Sequence, residues 1–126
     1  LRPGFEQLGF EVEGGKMADQ KIRRPVLFGE NGRAEVSYEV DGFHHDHRVV
    51  LEIEAGRGAA NNADYRDLVR ASLMVGVDYL ILAMMREYQG GSQTMKSYEQ
   101  TRKRLDAIYA SERLRLPLMG VLLVGY

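Results

Sequence analysis

Three carboxylates in the first half of the chain have the types and spacing to hold a hard cation. Glu52 and Glu54 stand two residues apart in the run Val49-Val50-Leu51-Glu52-Ile53-Glu54. In a strand, both side chains leave one face, while Leu51 and Ile53 leave the other, towards an expected core. Asp41 closes the earlier run Tyr38-Glu39-Val40-Asp41. A hairpin turning at residues 45–48 sets Asp41 opposite Glu52 and Glu39 opposite Glu54. Between Glu35 and Glu54 there are six acidic residues against one arginine. Carboxylates facing one another on a sheet repel, and a fold that keeps them together usually supplies a cation. Oxygen donors of this kind suit Mg²⁺ or Mn²⁺. Such an ion orients a phosphate, acidifies an attacking water and steadies the leaving oxygen. The plain alternative is a solvent-facing sheet edge kept soluble by its glutamates.

The elements that must position these groups follow from periodicity. Residues 10–13 form a short alternating stretch ended by Gly14-Gly15. Residues 22–28 form a second, with Pro25 restricting it to an edge or a bulged strand. Asn31-Gly32 marks a turn. Residues 34–41 alternate, with Val36, Tyr38 and Val40 on one side. Residues 42–47 are polar and read as a connection before a strand at 48–54, so the first half is a meander of antiparallel strands. The period then changes. Asn61 or Asn62 caps a helix over residues 63–75, with Asp64 near its positive end and Gly76 at its stop. Its apolar stripe is Tyr65, Leu68, Val69, Ser72 and Leu73. Residues 79–85 are a strand covered on both faces. A loop at 90–92 leads to a second helix, starting at Thr94 or Ser97 and reaching about residue 114. Past Pro117, residues 118–124 give a last buried strand. Strand 48–54, helix 63–75 and strand 79–85 make a βαβ unit with a right-handed crossover. The fold class is α/β (α+β), a mixed sheet with helical cover.

Composition excludes several other chemistries. A chain of 126 residues suits one domain spanning 1–126. Seventeen basic residues against eighteen acidic ones rule out binding nucleic acid by bulk charge alone. With no cysteine, disulfides, thiolate zinc sites and thiol nucleophiles are excluded. No apolar run approaches the ~18 residues of a membrane span, and no signal-peptide pattern opens the chain. The expected location is the cytosol, with no membrane partner. The chain begins at Leu1, as expected if an N-terminal segment is missing.

Asp41, ten intervening residues and Glu52-Ile53-Glu54 together resemble the PD-(D/E)xK nuclease superfamily, the restriction-endonuclease-like fold. That family sets its Asp at a strand end and its (D/E)xK motif on the next strand, inside an αβββαβ core. The order of elements from residue 10 to about 85 is similar, and a further helix and strand extend it. Arg66-Asp67-Leu68 in the helix is similar as well. Val40 stands where the family has proline. Glu54 stands where it has lysine, as in some restriction endonucleases. The resemblance implies Mg²⁺ or Mn²⁺ held by Asp41, Glu52 and the Ile53 carbonyl. Glu54 is then general base, water-orienting group or further ligand, and Glu6, Glu11 or Glu13 is an additional acid. The implied reaction is phosphodiester hydrolysis, with DNA the expected substrate and RNA the second choice. So short a chain leaves little room for a recognition domain, which implies a homodimer or a protein partner. The rival is a non-catalytic module of the same fold for nucleic-acid binding or assembly.

Other residues are weighed on their own. Arg57, in Gly56-Arg57-Gly58, and Arg66 and Arg70, four apart on the helix, are the expected phosphate contacts. For the helical pair the alternative is pairing with nearby carboxylates. Gly56-Arg57-Gly58 lacks the Lys-Ser/Thr and the spacing of a phosphate loop. Basic stretches at 16–24 and 96–115 suit a phosphate backbone or simply a solvated face. His44-His45-Asp46-His47 reads as a solvated turn rather than a metal site. Met74, Met84 and Met85 read as core, and Tyr98 and Tyr109 as packing rather than base-stacking groups.

Overall fold

The computed structural model describes residues 1–56 and 61–126. Its elements run α1 (Arg2–Gln7), β1 (Glu11–Val12), a 3₁₀ turn (Ala18–Gln20), β2 (Ile22–Phe28), β3 (Ala34–Val40), β4 (Gly42–His44) and β5 (Val49–Glu54). They continue with α2 (Ala63–Leu73), β6 (Tyr79–Met84), β7 (Tyr88–Gly90), β8 (Gln93–Met95), α3 (Ser97–Ser111) and β9 (Gly120–Gly125). Five strands form a mixed sheet in the order β1-β4-β5-β6-β9. β1, β4 and β5 are antiparallel neighbours, whereas β5, β6 and β9 run parallel. The α/β class with a mixed sheet therefore holds, as does the parallel pairing of the two strands joined through α2.

The first half departs from a simple meander. β3 pairs with β2 in a separate two-stranded ribbon, and the chain, having left the main sheet after β1, returns to it only at Gly42. The predicted connection at 42–47 therefore begins as strand β4. Pro25 lacks an N–H, and the ladder shifts register between Pro25 and Leu27, the bulge expected of it. Gly32, at φ 70°, makes the ribbon's turn. Gly42 must be glycine for a packing reason. A Cβ there would lie 3.0 Å from Leu51 Cδ2 and 3.2 Å from the Glu11 carbonyl oxygen. Close approach of β1, β4 and β5 depends on that gap, and it brings Glu13 N–H within 2.9 Å of the Asp41 carbonyl.

The second half also differs in detail. α2 ends at Leu73, and the φ of 74° at Gly76 serves the turn into β6. A small ribbon, β7–β8, occupies the loop before α3. β9 is the sheet edge rather than a buried strand, and Leu122 is exposed.

The principal core joins Phe43, Val50, Leu80, Leu82 and Met84 of the sheet to Leu68 and Ala71 of α2, Leu105 of α3 and Leu118. Met74 also belongs to it, and Tyr98 packs against it. Val50, Glu52 and Glu54 share a strand face, so the carboxylates lie at the end of the core face and beside α2. The expectation that only Leu51 and Ile53 face the core is thereby corrected. α2 is also rotated relative to its apolar pattern: Ala63, Asp64, Asp67, Leu68 and Ala71 are buried, whereas Tyr65, Val69 and Leu73 are exposed.

Candidate active site

The C-terminal end of β5, the end of β3 and the first turns of α2 enclose a polar cleft of about 250 Å³. Asp41, Glu52, Ile53 and Glu54 all line it, with Arg66 and Arg70 from α2. The anticipated register holds for Asp41. Gly42 stands opposite Leu51, and the Ile53 N–H donates to Asp41 Oδ2 at 2.6 Å. Glu39 differs: on β3 it stands opposite Arg23 of β2, with an ion pair at 3.2 Å. It borders the cleft but has no place in the sheet ladder opposite Glu54.

Burial dominates the electrostatics. Glu52 is 7% exposed. Removal from water, then the charges of Asp67, Asp41 and Glu54, push its carboxyl up to about 9. Asp41 is raised by burial too, a shift restrained by the Ile53 N–H and by a hydrogen bond with Glu52. Burial thus favours the protonated form of Glu52 beside Asp41. Asp67, on the buried face of α2, is raised by burial and then by Glu54. Its Oδ1 accepts from Arg66 Nε at 3.1 Å, while its buried Oδ2 meets no hydrogen-bond donor among the described residues.

Two ion pairs flank this acid cluster. On the α2 side Arg66 Nη2 meets Glu54 Oε1 at 2.5 Å, so the carboxylate-pairing reading of Arg66 holds. Arg70 instead lies over the Tyr38 ring, 5.2 Å from its centroid. On the other side Lys21 Nζ lies 2.6 Å from Glu13 Oε2. Of the three additional acids considered, Glu13 lines the cleft, Glu6 pairs with Arg2, and Glu11 contacts His45. Arg57 lies outside the described residues. The turn at 45–48 is exposed; His45 contacts Phe43 and Glu11, while His44, at the end of β4, packs against Phe10 and His47.

Sequence spacing missed Lys21, Asp67 and Tyr126. Tyr126 donates its hydroxyl to the Glu54 carbonyl at 3.1 Å. Asp67 carried a signal in its place beside Arg66, one turn beyond Asp64. Lys21 was legible only as part of the basic stretch 16–24, because nothing local ties residue 21 to residue 41.

Among the described residues, no three His, Asp or Glu side chains converge on one point as metal ligands. The donor chemistry nevertheless fits a hard ion held by fewer protein groups. Asp41 and Glu52 are neighbouring carboxylates, and Mg²⁺ is commonly bound by one or two carboxylates while keeping several waters.

Fold and site together define an α+β protein with a buried acidic cleft at the end of a mixed sheet. Compared with protein-family models, with curated proteins and with solved structures, the chain matches none. Among the described residues, no helix is long and apolar enough to cross a membrane.

Proposed function

We propose that the chain is a metal-dependent nuclease of restriction-endonuclease-like fold that hydrolyses phosphodiester bonds in DNA. The observation that carries this reading is that Asp41, at the junction of β3 and β4, and the buried Glu52 of β5 line one cleft together with Ile53 and Glu54. A divalent cation would neutralise both carboxylates at once. Asp41, Glu52 and the Ile53 carbonyl would hold it. When bound, the ion supplies Lewis acidity toward a phosphate oxygen and a more acidic water. Glu54 stays on the cleft wall, tied to Arg66, where it orients rather than abstracts. Arg70, on the rim, would meet the phosphate backbone, with Arg57 its expected companion. The element order supports the fold assignment: α1, then β1, β4 and β5, then α2 and a parallel β6, with the β2–β3 ribbon inserted after β1. A second copy of the chain or a protein partner would complete target recognition.

A second reading, a non-catalytic nucleic-acid-binding or assembly module, is favoured by one observation. Arg66 pairs with Glu54 and Asp67 rather than standing free for a phosphate, and Glu54 occupies the motif's lysine position.

The test is cleavage of supercoiled plasmid and of labelled single-stranded DNA and RNA with Mg²⁺ or Mn²⁺, beside a Glu52→Ala preparation. Metal-dependent cutting by the wild type alone supports the nuclease. Equal cutting by both is contamination. No cutting by either, with nucleic acid still bound, supports the module.

A further inference from the structure

Three cations line the acidic cleft: Lys21, Arg66 and Arg70. Arg66 reaches both Glu54 and Asp67 through Nη2 and Nε and so neutralises those carboxylates, and Arg70 lies over the Tyr38 ring. Lys21 is the one amine lining the cleft among the described residues. An ammonium has three N–H donors, and Glu13 takes one of them at 2.6 Å. The placement is fixed by backbone as well as by side chain. β2 and β3 pair Ile22 with Val40 and Arg23 with Glu39. One residue further along, the same register sets Lys21 beside Asp41. Glu13 is fixed in turn, because its N–H donates to the Asp41 carbonyl at 2.9 Å. The carboxylates of Glu13, Glu39 and Asp41 all act on the Lys21 ammonium and keep it protonated.

We propose that Lys21, delivered by the β2–β3 ribbon rather than by β5, is a catalytic residue whose ammonium contacts a non-bridging oxygen of the scissile phosphate, with Glu13 as its positioning residue. This rests on the nuclease reading. In the reaction, water oxygen bonds to phosphorus and the P–O bond to the leaving sugar oxygen breaks, its electron pair going to that oxygen. The water loses one proton to solvent and the leaving oxygen gains one from solvent. Lys21 keeps its own proton and stabilises the charge that builds on the phosphoryl oxygens. The Glu54 that occupies the lysine position on β5 is then no obstacle, because the cation arrives from the opposite wall of the cleft.

Plasmid cleavage at saturating Mg²⁺ tests this with Lys21→Met, Lys21→Gln and Glu13→Gln, alongside Mn²⁺ binding and thermal melting. The expected result is a kcat lower by about 100-fold or more in both Lys21 variants, with KM and Mn²⁺ affinity within about threefold of wild type. Glu13→Gln, which leaves the amine in place, should lose only about tenfold. Lys21→Gln retains a hydrogen bond to Glu13, so it reports even where Lys21→Met melts early. Cleavage within about threefold of wild type by Lys21→Gln overturns the proposal. So do equal losses in Lys21→Gln and Glu13→Gln accompanied by equal falls in melting temperature, which would make the pair a structural one. A wild type that does not cut, or cuts no better than Glu52→Ala, overturns the nuclease reading itself and this inference with it.

Discussion

Asp64 and Asp67 lie one turn apart on α2, each only 1% exposed, yet their surroundings are opposite. Asp64 accepts from Thr101 Oγ1 at 2.9 Å, from Arg104 Nη1 at 2.8 and 2.9 Å, and from the Tyr65 N–H at 2.9 Å. Both of its oxygens are satisfied, and it ties α2 to α3. Asp67 has Arg66 on one oxygen and, among the described residues, no donor on the other, and it stands among Glu52 and Glu54. A buried carboxylate with a full set of partners holds two helices together, whereas one crowded by like charges takes up a proton or a cation. The same residue type at the same depth is therefore fully partnered in one place and crowded by like charges in the other.

The sharpest break between the two regions should be functional. Glu52→Gln is expected to lower metal-dependent cleavage by about 1,000-fold in a plasmid assay while folding normally. Asp64→Asn should leave the cleft chemistry intact but lower stability by about 3 kcal/mol, because it takes the carboxylate from a largely buried ion pair. A melting temperature about 10 °C lower checks this.

The pH dependence separates the regions next. The folded-state value of about 9 for Glu52 lies above its ordinary 4.5, so the folded protein holds that proton more tightly than the unfolded chain does. Its contribution is fully present below about pH 4.5 and is lost as pH rises towards 9. The slope approaches about 1.4 kcal/mol per pH unit. Urea unfolding of the metal-free protein at pH 5, 7 and 9 should show this decline, and Glu52→Gln should flatten it. The smallest effect is expected of Asp67→Asn. Loss of the Arg66 pair is offset by relief of repulsion, for a change under about 1 kcal/mol at pH 8. A loss matching that of Asp64→Asn would erase the distinction between the two aspartates.

The same contrast explains what could be read from the chain. The apolar run at 79–85 and the alternating run at 48–54 announce a βαβ unit, because hydrophobic period alone decides it. The register of Asp41 on Glu52 follows from where the turn falls, and it brings Asp41, Glu52, Ile53 and Glu54 to one cleft. The buried face of α2 was not legible. Tyr65, Val69 and Leu73 look like a core stripe, but Asp64 is drawn inward by Arg104, 40 residues away in sequence. Nor was the departure of β3 from the sheet. Residues 34–40 alternate equally well against either neighbour, and only tertiary pairing with β2 decides between them. Lys21 reaches the cleft at the end of the β2–β3 ribbon, whose position beside the Asp41 end of β5 the local pattern does not reveal.

The central claim is that Asp41 and Glu52 form a cation site, and thermal unfolding at pH 8 across a Mn²⁺ titration tests it most directly. A cation that binds only the folded state raises its melting temperature, and the rise continues with the logarithm of cation concentration once that exceeds Kd. The account predicts such a rise for the wild type and none for Glu52→Gln. No rise in the wild type, or an equal rise in both proteins, would contradict it.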